Sequence, residues 1–237
     1  MILSFKYKFI FIKNYKTAGS SIENYLINYL TNKDIIAPTE DYRGINAWGS
    51  FDHQDLINNY PSNIAKKYID NSVAFFAHMP IWLIKKRLDQ LKNKFNYDFF
   101  NNFYKFSVIR NPYDVIVSDY YWQNDKRNKN RLNYTFEQII NEIKNNIYPT
   151  FRTLNLNRLM NKDYTQIECD KIIKFENLNE ELSYVFDKLK IPFSGKLEIF
   201  KKKSYNKVNY KNFYNSENIK LINNIFSKEI NLFKYSY

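Results

Sequence analysis

Short apolar runs alternate with longer amphipathic stretches along the chain. Phe9, Ile10, Phe11 and Ile12 form an unbroken apolar run rich in β-branched and aromatic residues, the pattern of a buried strand. A polar stretch, KNYKTAGSS, occupies residues 13–21 and contains one of only four glycines. Ile22, Leu26 and Leu30 then recur at helical spacing, with Tyr25 and Tyr29 beside them. Glu23 falls in the expected first turn, where a carboxylate suits the helix dipole. Residues 5–30 therefore read as strand, polar turn and helix.

The same alternation continues downstream. Residues 31–72 are polar, are punctuated by Pro38, Gly44, Gly49 and Pro61, and read as loops with one short helix. Residues 73–77 (VAFFA) read as a strand that runs into His78 and Pro80. A helix is expected next, with Ile81, Leu83, Ile84, Leu88 and Leu91 inward and Lys85, Lys86 and Arg87 toward solvent. Residues 103–110 (FYKFSVIR) read as a strand, and a helix is expected from Pro112, because proline suits the first helical position. Asp125 to Asn133 is a charged, Asn-rich surface loop. Phe136, Ile139, Ile140 and Ile143 mark a helix face, and Leu154, Leu156, Leu159 and Met160 a short helix. Residues 171–175 read as a strand, followed by an amphipathic helix on Leu182, Val185, Phe186 and Leu189 that ends before Pro192. Residues 201–214 form a basic, tyrosine-rich loop, and a last helix over about 216–232 buries Ile219, Ile222, Ile225, Phe226 and Ile230. Strands alternating with helices imply an α/β fold with a mostly parallel sheet flanked by helices. The 237 residues are read as a single domain, with no repeat and no linker.

Composition narrows the function classes. Hydrophobic residues make up 44% of the chain, enough for a globular core. The net charge of +12 fits a polyanionic partner such as a nucleic acid, an acidic glycan or a phosphorylated cofactor. The lysines are scattered, and no zinc spacing, RNA-binding signature or basic zipper appears, so nucleic acid is not the expected partner. One cysteine, Cys169, excludes an intrachain disulfide. No apolar run has the length of a membrane span, and Lys6 and Lys8 interrupt the first apolar segment. A cytoplasmic protein is expected.

The turn at residues 16–21 has the means to hold an anion. The first N–H groups of a helix lack intrahelical partners, and the dipole adds positive charge there. Lys16 supplies a full charge, Ser20 and Ser21 supply hydroxyls, and Gly19 permits close backbone approach. An ordinary N-cap at Ser20 would account for the same residues. The Walker pattern G-x-x-x-x-G-K-[ST] is absent, since Lys16 precedes Gly19 by three positions.

Three separate stretches resemble the PAPS-dependent sulfotransferase family (PAPS is 3′-phosphoadenosine 5′-phosphosulfate). Residues 16–21, KTAGSS, resemble its 5′-phosphosulfate loop, with Tyr15 standing where the family generally has proline. Residues 106–121, FSVIRNPYDVIVSDYY, resemble its 3′-phosphate motif, with Val115 where arginine is common. Residues 172–189 and 210–235 resemble its C-terminal part: a strand, Glu-Asn-Leu, a helix, and a closing helix after a basic loop. The branch most similar is the Lys-Thr-Ala-Gly type that acts on carbohydrates such as heparan sulfate.

The resemblance implies a P-loop-like three-layer fold and transfer of a sulfuryl group from PAPS to an acceptor hydroxyl on a glycan. PAP is then the product, and no metal is needed. It implies that Lys16 binds the cofactor and neutralises charge on the leaving oxygen and that the backbone N–H groups of Thr17, Ala18, Gly19, Ser20 and Ser21 cradle the 5′-phosphate. Arg110 and Ser118 would hold the 3′-phosphate, and Lys203 and Tyr205 would belong to a loop closing over the cofactor. Asp114 is read as fixing the turn or capping the helix. Histidine is the side chain best poised to accept a proton near neutral pH, and the chain has two. His78 is the expected base. His53, or a carboxylate within residues 40–55, is the alternative. Two other functions stay open on sequence grounds: a P-loop kinase for a small molecule, and a non-catalytic protein that binds polyanions.

Overall fold

A computed structural model of the chain describes residues 1–37, 75–126, 133–145, 154–197 and 209–237. The elements run β1 (Ile2–Ser4), β2 (Phe9–Ile12), α1 (Gly19–Leu26), β3 (Ile35–Ile36), α2 (Ile81–Phe95), α3 (Phe99–Asn102), β4 (Tyr104–Ile109) and α4 (Pro112–Asn124). They continue with α5 (Phe136–Lys144), a 3-10 turn (Leu156–Leu159), β5 (Lys171–Lys174), α6 (Leu178–Lys188), α7 (Ser216–Ile225) and α8 (Ser227–Phe233).

Among the described residues five strands form one sheet in the order β3-β1-β2-β4-β5. β2, β4 and β5 are parallel neighbours, in register Phe11 to Phe106 and Val108 to Ile173. β1 adds to the edge of β2 antiparallel, and β3 adds to β1 antiparallel. The sheet is thus parallel where its strands lead into the helices that carry the candidate site.

Because successive side chains of a strand point to opposite faces, β2 feeds two cores. Ile10 and Ile12 join Leu3, Ile81, Ile84, Leu88 and Phe99 on one side. Phe9 and Phe11 join Ile22, Leu26, Phe106, Val108, Leu182 and Phe186 on the other. Helices therefore cover both faces, giving the three layers the sequence predicts. A third cluster packs α4 against α5 and α7 through Ile116, Ile139, Ile140, Ile143, Ile222 and Phe226.

Several local expectations change. Residues 73–74 lie outside the described residues, and Phe75 and Phe76 form no strand, although Phe75 is fully buried. Arg87 faces inward and is only 1% exposed, with Nη1 donating to Gln90 at 3.2 Å. The long arginine stem can fill apolar space that a shorter charged side chain could not. The C-terminal helix is two helices, broken at Phe226 (φ −100°, ψ 18°), whose ring stays buried in the third core. Among the described residues no helix is long and apolar enough to cross a membrane.

Candidate active site

The turn after β2 is built over a buried charge pair. Lys13 and Glu23 are both buried, and Nζ lies 2.5 Å from Oε2. Glu23 also accepts from the α-amino group of Met1 at 2.6 Å. Burial alone would raise the Glu23 carboxyl, but these two cations outweigh it and hold its pKa below the ordinary value. Because α1 starts at Gly19, Glu23 is in the second turn and serves this pair instead of the helix dipole. Lys13 also explains the glycine. A Cβ on Gly19 would lie 2.7 Å from Lys13 Cγ, so the close approach at Gly19 is made by the lysine stem.

Lys16 and Ala18 both adopt left-handed backbone, with φ 59° and 61°. This conformation costs a non-glycine residue about 1 kcal/mol, and such strain gathers where function fixes the backbone. Ala18 occupies the N-cap position with no side-chain cap, which corrects the alternative of Ser20 as cap. The N–H groups of Ser21 and Ile22 return to the Ala18 carbonyl at 2.9 and 3.1 Å. Those of Gly19 and Ser20 precede any carbonyl they could reach within the helix, so they suit an anion. The Thr17 hydroxyl is buried and donates to the Asn14 carbonyl at 3.3 Å, so Thr17 can serve a ligand only through its backbone. Ser21 is buried, Ser20 and Lys16 are half-buried, and the Lys16 ammonium lies 5.3 Å from the Trp122 ring on α4.

Arg110 follows β4 directly, at the carboxyl end of the strand beside β2. Asn111 then caps α4 by accepting from the Tyr113 N–H at 3.1 Å, and Pro112 takes the first helical position. Arg110 is held from three sides. Its Nε donates to Asp114 Oδ2 at 2.7 Å, its Nη1 donates to the Lys16 carbonyl at 3.1 Å, and its guanidinium lies 4.2 Å from the Phe175 ring centre. The two motifs, 94 positions apart, thus meet at one atom pair. Asp114 fixes the arginine rather than capping the helix. Ser118 is half-buried one turn beyond Asp114, on the same helix face.

His78 also reaches this region. It sits in a turn before α2, with left-handed backbone at φ 61°. Its Nδ1 lies 3.1 Å from the Lys13 carbonyl, and its ring stacks on Tyr15 with centroids 3.7 Å apart and planes 12° from parallel. A carbonyl only accepts, so Nδ1 carries the proton and Nε2 is the basic nitrogen. Desolvation first, then the charges of Lys13 and Arg158, push the His78 pKa well below the ordinary 6.5. The imidazole is therefore neutral near neutral pH, as a proton acceptor must be.

Tyr15 uses the N–H that a proline would lack. Asn155, fully buried, accepts from it at 3.0 Å and donates back to the Tyr15 carbonyl at 2.9 Å. Arg158 lies 4.6 Å from the Tyr15 ring centre and donates to the His78 carbonyl at 3.2 Å. Sequence reading missed Asn155, Arg158, Trp122 and Phe175, because each acts on a residue at least 65 positions away or across a helix turn, and no motif marks them. Lys203, Tyr205 and His53 lie outside the described residues.

Solved structures similar to the chain include a sulfotransferase from Alicyclobacillus acidocaldarius, 13% identical, covering 96% of each chain, with a TM-score of 0.47. Another is mouse sulfotransferase SULT7A1 complexed with PAP, 12% identical, covering 96% of this chain and 85% of that one, with a TM-score of 0.51. No protein-family model and no curated protein sequence matches the chain. At this level of identity the likeness is one of architecture, and the chain has the α/β fold of the mouse sulfotransferase.

Proposed function

We propose that the protein is a PAPS-dependent sulfotransferase that acts on a hydroxyl of a carbohydrate acceptor. The observation that carries the reading is the bond from Arg110 Nη1 to the Lys16 carbonyl, which joins a 5′-phosphate-type turn to a 3′-phosphate-type arginine at the ends of adjacent parallel strands. A nucleotide with phosphates at both ribose ends needs two such sites. The exposed carboxyl ends of parallel strands are where open α/β sheets bind ligands.

The residues fit PAPS, which when bound would supply the sulfuryl group to be moved. The N–H groups of Gly19 and Ser20 face an anion's charge with the dipole of α1 behind them. Lys16 supplies the cation that neutralises negative charge growing on the leaving oxygen. The planar guanidinium of Arg110 suits bidentate phosphate binding, and Ser118 adds a neutral donor. Lys203 and Tyr205 complete the cofactor contacts in this reading. His78, neutral with Nε2 basic, takes the proton of the acceptor hydroxyl. Positioning and charge stabilisation carry the catalysis, as they do in phosphoryl transfer.

Calorimetric titration with PAP, with ADP as control, tests the cofactor. Tight PAP binding with weak ADP binding is expected. The reverse preference would favour the kinase reading. No nucleotide binding at all, with salt-sensitive binding of anionic polymers, would favour the polyanion-binding reading. Lys16→Ala is expected to abolish PAPS-dependent transfer with the fold intact, and turnover near that of the wild type would refute the role of the turn.

A further inference from the structure

His78 is more constrained than packing alone requires. Its backbone is left-handed, its carbonyl accepts from Arg158, its Nδ1 meets the Lys13 carbonyl, and its ring lies flat on Tyr15. Both partners are governed by one short turn. Asn155, just before the 3-10 turn Leu156–Leu159, clamps the Tyr15 backbone through two hydrogen bonds. Arg158, within that turn, lies over the Tyr15 ring and reaches the His78 carbonyl. Tyr15 is also the residue immediately before Lys16. The turn therefore ties the sulfate-side loop to the histidine.

We infer that Tyr15 and Arg158 are positioning residues for His78: the ring stack and the guanidinium–carbonyl bond fix the imidazole beside the anion turn in the tautomer whose basic atom is Nε2. This rests on the reading of His78 as the base. The chemistry is consistent at each contact. A flat aromatic stack restricts rotation of the imidazole about its side-chain torsions. Holding the backbone by its carbonyl sustains a conformation that histidine would otherwise leave. The charged groups acting on the ring are Lys13 at the end of β2, Arg158 of the turn and the α-amino group of Met1, all of which disfavour imidazolium. Glu23 on α1 pairs with both Lys13 and the Met1 α-amino group. Removing Arg158 releases the His78 carbonyl and deletes a repelling charge, and the loss of that charge makes His78 easier to protonate.

The test uses the chain's two histidines. In protein labelled with 15N and 13C at histidine, His53→Gln assigns the His78 signals, and nitrogen shifts read the tautomer directly. The wild type is expected to show the Nδ1–H form with a midpoint below 6.5. Arg158→Gln and Tyr15→Leu are expected to raise the midpoint toward 6.5, while Tyr15→Phe, which keeps the ring, retains the wild-type midpoint. In turnover assays the acid limb of kcat/KM is expected to move up with the NMR midpoint, with PAP affinity by calorimetry within twofold of wild type. An unmoved midpoint in Arg158→Gln or Tyr15→Leu, or an Nε2–H tautomer in the wild type, overturns the inference. If Arg158→Gln does not fold, Tyr15→Leu reads the same coupling from the other partner. The expected titrations without any PAPS-dependent turnover would refute the sulfotransferase reading alone. Turnover with titrations identical across the variants would refute the positioning alone.

Discussion

Replacing Gly19 by alanine gives the sharpest test of how the turn is built, because two effects predict opposite signs. Gly19 is the first residue of α1, in backbone geometry that alanine adopts without strain. On unfolded-chain entropy alone, the swap should stabilise the protein by roughly 0.4–1 kcal/mol. The structure says otherwise. The new methyl carbon would lie 2.7 Å from Lys13 Cγ. Carbon atoms in good contact are about 3.5–4.0 Å apart, so the overlap approaches an ångström. The lysine cannot easily yield, because Cγ lies near the backbone and Nζ is anchored 2.5 Å from Glu23 in a buried pair. Overpacking of this kind costs about 1–3 kcal/mol. Driving Lys13 off Glu23 instead would cost about 3–5 kcal/mol, the scale for a buried charge that loses its partner.

Urea unfolding of Gly19→Ala should therefore show a net loss of about 1–3 kcal/mol. The decisive comparison is a double-mutant cycle with Lys13→Ala, which removes the atom in the way. In that background Gly19→Ala should be neutral or stabilising, giving a coupling of at least about 1 kcal/mol. An equal cost in both backgrounds, or a stabilised Gly19→Ala in the native background, would refute the claim that Lys13 is the reason for the glycine.

Arg110→Ala should weaken PAP binding by about 1.5–3 kcal/mol, the scale of a hydrogen bond to a charged group, and unchanged calorimetric affinity would remove the 3′-phosphate role. Tyr15→Pro, which brings the chain closer to the family's usual turn, should destabilise it, because the Asn155 amide loses the N–H it accepts from; a stabilised variant in urea would refute that. Burial pushes the Glu229 carboxyl up from 4.5 to about 8, with the Leu156 N–H opposing the shift. The folded state then holds a proton that the unfolded chain releases, so stability falls as pH rises from about 5 to beyond 8. Glu229→Gln should flatten that fall, and an unchanged slope in urea unfolding at pH 5, 7 and 8.5 would show that Glu229 does not cause it.

Much of the architecture was legible because it is encoded locally. The apolar run at residues 9–12, the KTAGSS turn and the helical spacing of Ile22 and Leu26 specify β2, the turn and α1 within twenty residues. Pro112 marks the start of α4 by an elementary rule, whereas the side-chain cap falls to Asn111 and not to Asp114, the cap candidate in the sequence. The 3-10 turn at Leu156–Leu159 and the face of α5 likewise followed from apolar spacing. Where the chain was misread, the fault lay in treating polarity as exposure. Arg87, expected toward solvent, is buried because its long stem fills apolar space, and Glu23, expected to serve the helix dipole, is buried against Lys13 and the Met1 α-amino group. Phe226 breaks a helix that periodicity would have continued, since periodicity records which residues are apolar and not where the backbone must turn to bury them.

The sequence by itself determined the alternation of strands and helices, the polar turn at residues 16–21 that leads into α1 and the arginine at the end of β4. Each is a property of a few neighbouring residues. Only the tertiary structure decided what Gly19 makes room for, that Asp114 and Phe175 hold Arg110, and that Tyr15, clamped by Asn155, and Arg158 hold His78. Those relations join residues as far as 140 positions apart, and they exist because parallel strands bring distant loops to one end of the sheet. No local pattern can carry them, since the energy resides in contacts that form only once the whole sheet is assembled.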